Sequence, residues 1–65
     1  MYSVSHGTSI GVRAHRRATA REALDLAEGF LRAGYSNVRV NDLATMKEMS
    51  LADLRDAAVD EEAAS

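Results

Sequence analysis

The stretch that decides the fold is Thr19 to Val40, TAREALDLAEGFLRAGYSNVRV. Thr19 is a residue type that caps helix N-termini, and Glu22 three positions later completes the capping-box pattern. Ala20, Ala23, Leu24, Ala27, Phe30 and Leu31 then recur at the spacing that gathers one face of a helix. Arg21, Glu22, Asp25, Glu28 and Arg32 take the other face, with Glu28 and Arg32 placed as a favourable i,i+4 pair. Gly34 is the residue best able to adopt the left-handed conformation that ends a helix, and Tyr35 follows where it can fold back on Phe30. After this stop Val38 and Val40 alternate with Arg39 and Asn41, the period of a strand with one buried face. Helix over Ala20 to Ala33, glycine stop and strand therefore form the anchor.

Upstream, Tyr2 and Val4 alternate with Ser3 and Ser5, and Ile10, Val12 and Ala14 alternate with Gly11, Arg13 and His15. The intervening His6-Gly7-Thr8-Ser9 is turn material, which predicts a hairpin. With the helix as crossover, the third strand runs parallel to the second and sits beside the first, giving the order 2-1-3. Downstream, Ser50 and Asp53 form a second capping box and Met49 with Leu54 a hydrophobic staple, so a helix is expected from Leu51 to about Val59. The segment Asp42 to Met49 is either a brief fourth strand or a loop. The expected fold is thus a small α+β domain over residues 1–59, a three-stranded sheet with one helix packed on one face and a short second helix. Residues 60–65, DEEAAS, read as an acidic, frayed tail.

The stretch Tyr2 to Leu43 resembles small bacterial hypothetical proteins in which a hairpin leads through a Thr-x-x-Glu-Ala box into an Ala-rich helix, a Gly-aromatic stop and a valine strand. The matching positions are Thr19, Glu22, Ala23, Gly34, Val38 and Val40. All are structural, and no activity is assigned to those proteins, so the resemblance implies a module and no chemistry.

A chain of 65 residues has a small core and marginal stability, and without cysteine it has neither disulfide nor thiolate metal site to add to it. A partner subunit is the remaining support. Met46, Met49, Leu51 and Leu54 offer more apolar surface than one small face hides, and the sheet has open edges. The leading expectation is therefore a non-catalytic interaction module, a homodimer or a binder of another protein. With no signal-peptide pattern and no long apolar run, it is expected to be cytoplasmic and not a membrane protein.

The second expectation starts from the charge. The net charge of −2 divides into +4 over residues 1–21 and −6 over residues 22–65. RAHRR, Arg13 to Arg17, is the densest positive cluster, and Arg13 and His15 are expected to share the outer sheet face with Arg39. With Arg16 and Arg17 they would form an anion-binding face for phosphate or nucleic acid. Aromatic side chains on that face, which single-strand binders use to stack bases, are not predicted.

No catalytic constellation emerges. His6 and His15 lack metal-ligand spacing, a zinc site needs four ordered ligands, and the serines have no nucleophile elbow. GTSIG lacks the Gly-Lys-Ser/Thr end of a phosphate loop. An enzyme would need His15, Asp42 and a serine in one concave site, and neither cofactor, metal nor small-molecule substrate is expected.

Overall fold

The computed structural model describes residues 1–8 and 11–64. Among them the chain forms β1 (Tyr2–Thr8), β2 (Gly11–Arg17), α1 (Ala20–Arg32), β3 (Arg39–Asp42), β4 (Lys47–Met49) and α2 (Leu51–Ala64). The fold is α+β with an antiparallel sheet ordered β2-β1-β3-β4. The expected order 2-1-3 is present, and β3 runs parallel to β2 because each is antiparallel to β1. The sheet has four strands, not three. Lys47–Met49 pairs with β3, and Asp42 Oδ1 accepts from Ala44 N at 2.9 Å to start the turn between them.

The fold is therefore a ββα unit used twice. The first strands of the two halves, β1 and β3, meet at the sheet centre, the second strands form the edges, and the helices pack on each other. The unequal hairpins, with strands of seven and seven residues against four and three, conceal this repeat in the sequence.

The α1 end signals act as expected. Thr19 Oγ accepts from Glu22 N at 3.1 Å. At the other end Gly34 has φ 89°, Gly34 N donates to the Leu31 carbonyl and Tyr35 N to the Phe30 carbonyl, the paired bonds of a Schellman stop. The Tyr35 ring meets Phe30 edge-on with centroids 5.4 Å apart. A Cβ at Gly34 would meet no atom within 4 Å, so an alanine there suffers only the left-handed backbone cost. Gly34→Ala is expected to lower stability by about 1 kcal/mol, and an unchanged urea midpoint would refute that assignment.

Val4, Ala20, Ala23, Ala27 and Leu54 are fully buried, joined by Leu24, Val40 and Ala58. Alanine at half of these positions lets both helices lie close to the sheet and to each other. Ser50 Oγ accepts from Asp53 N at 3.1 Å, capping α2 as its sequence predicts. The helix does not stop near Val59, however. It continues to Ala64, so residues 60–64 are helical and not a frayed tail. The Glu28 carboxylate turns to Arg55 of α2 at 3.8 Å, while Arg32 bonds the Glu28 backbone carbonyl, so the expected Glu28–Arg32 pair is replaced by a helix-to-helix contact.

The main correction concerns the hairpin. β1 extends through His6, Gly7 and Thr8, which the sequence suggests as turn; Ser9 and Ile10, also assigned to the turn and the second strand, lie outside the described residues. Val4 pairs with His15, one residue away from the Ala14 partner that a shared apolar face would require. A one-residue change of register exchanges the faces of a strand. Arg13, His15 and Arg17 consequently lie on the helix side, while Val12, Ala14 and Arg16 face outward, and Val12 is 74% exposed.

Candidate functional site

The register divides the expected anion-binding residues. Directly opposite residues share a face, so Arg13, His15 and Arg17 stand on the helix side with Tyr2, Val4 and His6. Arg16 is on the outer side, and so is Arg39, which is opposite Ser5. Arg39 is also separated from β2 by β1, and its guanidinium pairs with Glu48 at 3.5 Å. The five residues thus do not make one outer face. What they leave is narrower: four of them, Arg13, His15, Arg16 and Arg17, belong to the single edge strand β2.

The arginines of that strand differ from most others in the molecule, the exception being Arg32, which bonds the Glu28 backbone carbonyl and no carboxylate among the described residues. Arg21, Arg39 and Arg55 all have carboxylates at 3.5 to 3.9 Å. Among the described residues no carboxylate is paired with Arg13, Arg16 or Arg17. Arg17 Nη1 donates only to the neighbouring Arg16 carbonyl, at 2.7 Å. The reason is local: the first acid in the chain is Glu22, so the β1–β2 hairpin contains none. Among the described residues no strand pairs with β2 on its far side, so the seven-residue strand offers an unpaired row of backbone groups between positive side chains.

The proposed apolar interface is mostly spent within the chain. Leu54 is wholly inside the core, and Met49 and Leu51 pack against it. Met46 alone of the four is widely exposed, at 79%, because it sits in the β3–β4 turn with φ 58°.

A feature that sequence reasoning misses lies where the α1 stop meets the hairpin. The His6 ring stacks on Tyr35 with centroids 4.4 Å apart and lies 5.9 Å from the nearly parallel His15 ring. Phe30 presses on both imidazoles, at 4.5 and 5.5 Å. The signal for His6 is its phase: it follows Tyr2 and Val4 at the strand period and so continues their face. On the opposite side of the sheet, Ser5, Gly7, Val12, Asn37 and Arg39 line an open concavity of about 350 Å³. Ser5 Oγ donates to the Arg39 carbonyl there at 3.5 Å.

The histidine and Asp42 proposed for an acid–base site are not together. His15 lies on β2 opposite Val4 and Asp42 on β3 opposite Tyr2, with β1 between the two strands, and the Asp42 carboxylate holds the turn to β4. Among the described residues no helix is long and apolar enough to cross a membrane. No family model, curated protein or solved structure matches the chain.

Proposed function

We propose that this chain is a non-catalytic interaction module whose open strand β2 takes up an extended, acidic segment of another protein. The observation that carries the reading is the concentration of carboxylate-free arginines, Arg13, Arg16 and Arg17, on one uncovered edge. Edge strands bind peptides by adding a strand: the backbone supplies hydrogen bonds and alternate side chains supply selectivity. Here the helix side of β2 offers Arg13, His15 and Arg17, and the outer side offers Val12 and Ala14 before Arg16. An incoming strand with acids on one face and small apolar residues on the other complements both rows.

The same charges argue against pairing with a twin. Two β2 edges laid antiparallel would bring six arginines together, and like charges across strands are destabilising. With Leu54, Met49 and Leu51 committed to the chain's own core, a partner of opposite charge is favoured over self-association.

The test uses a capped seven-residue peptide alternating Glu and Val, followed by fluorescence anisotropy and amide chemical shifts. Binding is expected to perturb Gly11 to Arg17, weaken as salt rises, and disappear in Arg13→Glu with Arg16→Glu. Equal binding of a Lys–Val peptide would refute the reading. A mixed oligonucleotide bound more tightly than the acidic peptide would move the assignment to nucleic acid. A stable dimer that survives the double charge reversal would return it to self-association.

A further inference from the structure

The ring cluster beside β2 narrows what the acidic segment carries. His6 stands directly opposite Arg13, and His15 lies two residues from Arg13 on the same strand face. One guanidinium and two imidazoles are thus neighbours, Arg13 and His15 on the edge strand and His6 on β1 beside it. The rings are fixed from behind by Phe30 and, for His6, by Tyr35. Neither imidazole has a hydrogen-bond partner among the described residues, and no buried side-chain nitrogen or oxygen among them is left without one, so the ring nitrogens remain open to a ligand.

Two imidazoles close together suggest a metal ion first. The surroundings oppose one: among the described residues no third histidine or acidic side chain joins the pair to make a ligand set, and the nearest cross-strand neighbour is cationic Arg13. A site with donors and positive charge but no carboxylate suits an anion. A carboxylate has two oxygens and is satisfied by one arginine fork. A phosphate monoester has three terminal oxygens and a charge near −2, enough to engage Arg13 and both histidines at once.

We propose that Arg13, His6 and His15 form a phosphate-binding site for a phosphorylated side chain on the extended segment that pairs with β2. This rests on the peptide-binding reading above. It adds a specific role for the helix-side row, in which the residue facing Arg13 is a phosphorylated serine, threonine or tyrosine and acids at the flanking positions supply general attraction. The histidines act as oriented donors, held by the ring column, and Arg13 supplies the charge.

The experiment compares three capped peptides of one backbone, with Glu, Ser or phosphoserine at the central position, on the wild-type chain and on His6→Phe with His15→Phe. Phenylalanine keeps a ring against Phe30 and Tyr35 while removing the nitrogens, and circular dichroism checks that the variant folds. The phosphopeptide is expected to bind the wild type about tenfold or more tighter than the Glu peptide, the worth of one added charge-assisted hydrogen bond. That gain is expected to vanish in the double phenylalanine variant, which should bind the Glu and phosphoserine peptides alike. The His6 and His15 ring signals should shift with phosphopeptide and not with the Ser peptide. Equal affinity of Glu and phosphoserine peptides would overturn the phosphate site and leave strand-edge binding standing. So would a phosphate gain that survives loss of both imidazoles. Inorganic phosphate binding as tightly as the phosphopeptide would overturn the peptide source of the anion. Absence of binding by all three peptides would overturn both proposals.

Discussion

Leu54→Ala is expected to destabilise the chain by about 3 to 5 kcal/mol, the upper part of the range for a buried leucine. Leu54 has no exposed surface and is the largest of the fully buried side chains. Its core is shared with Ala20, Ala23, Ala27 and Ala58, whose methyl groups cannot swing into a void. Relaxation would need helix α2 to move as a body, and the Ser50 cap and the Arg55–Glu28 pair both resist that. A domain of this size has a total stability on the order of 3 to 10 kcal/mol, so the variant should be largely or wholly unfolded near room temperature. Urea titration followed by circular dichroism measures it. Met46→Ala, at a 79% exposed turn position, should change stability by no more than about 0.5 kcal/mol. The comparison separates two roles for α2. Were Leu54 an interface residue, its removal would dissociate a dimer and leave a folded monomer.

How far the sequence reaches can be judged from three elements. Thr19, Gly34 and Ser50 act through hydrogen bonds to residues no more than a few positions away, so their pattern contains the structure they make. The order β2-β1-β3 follows from the crossover and was legible for a similar reason. The fourth strand was ambiguous because three residues are too few to show a period, and its pairing with β3 is what makes Lys47–Met49 a strand. The hairpin failed on parity. Tyr2-Val4 and Val12-Ala14 each show an apolar row, but sequence periodicity does not say whether the rows share a face. That depends on the pairing, and Val4 opposite His15 puts them apart.

The candidate site inherits that error and gains from it. The arginine cluster was visible as composition, and its acid-free surroundings were visible too, since no acid precedes Glu22. Its sharing of a face with Arg39 was not real, because parity sends Arg13, His15 and Arg17 to the helix side. The same inversion brings His15 to Phe30 and beside His6. Imidazoles then occupy positions where an aliphatic pair was expected, so the edge of the core is built from side chains that can also donate hydrogen bonds. Residue types alone place His6 in a turn and His15 on the surface, since their meeting requires both the register and the Schellman stop that delivers Phe30 and Tyr35.

Glu61→Ala is expected to lower stability by about 2 kcal/mol, combining the loss of a cap with that of two charge-assisted bonds at a partly exposed site. Glu61 belongs to the acidic run that reads as solvated tail, yet its Oε2 accepts from Ala20 N at 2.6 Å and its Oε1 from Arg21 N at 3.2 Å. With Thr19 Oγ taking Glu22 N, the first three amides of α1 are all satisfied, two of them by the other helix. A negative carboxylate is also favoured at the positive end of the helix dipole. The contact closes the structure, since it ties the end of the second ββα half to the start of the first helix. Asp60→Ala, one residue away, should change stability by less than about 0.5 kcal/mol. The Tyr2 phenol offers a second measure. Burial first, then the carboxylates of Asp42 and Glu61, hold its pKa above the ordinary value near 10, so ultraviolet titration of the variant should show ionisation at lower pH. Folding stability involving Tyr2 is present below the unfolded value near 10 and is lost as pH rises through the higher folded value. If Glu61→Ala and Asp60→Ala melted together with the wild type, the carboxylate would not be holding the helices. If only Glu61→Ala falls, the last turn of α2 is as much a part of the fold as the capping threonine.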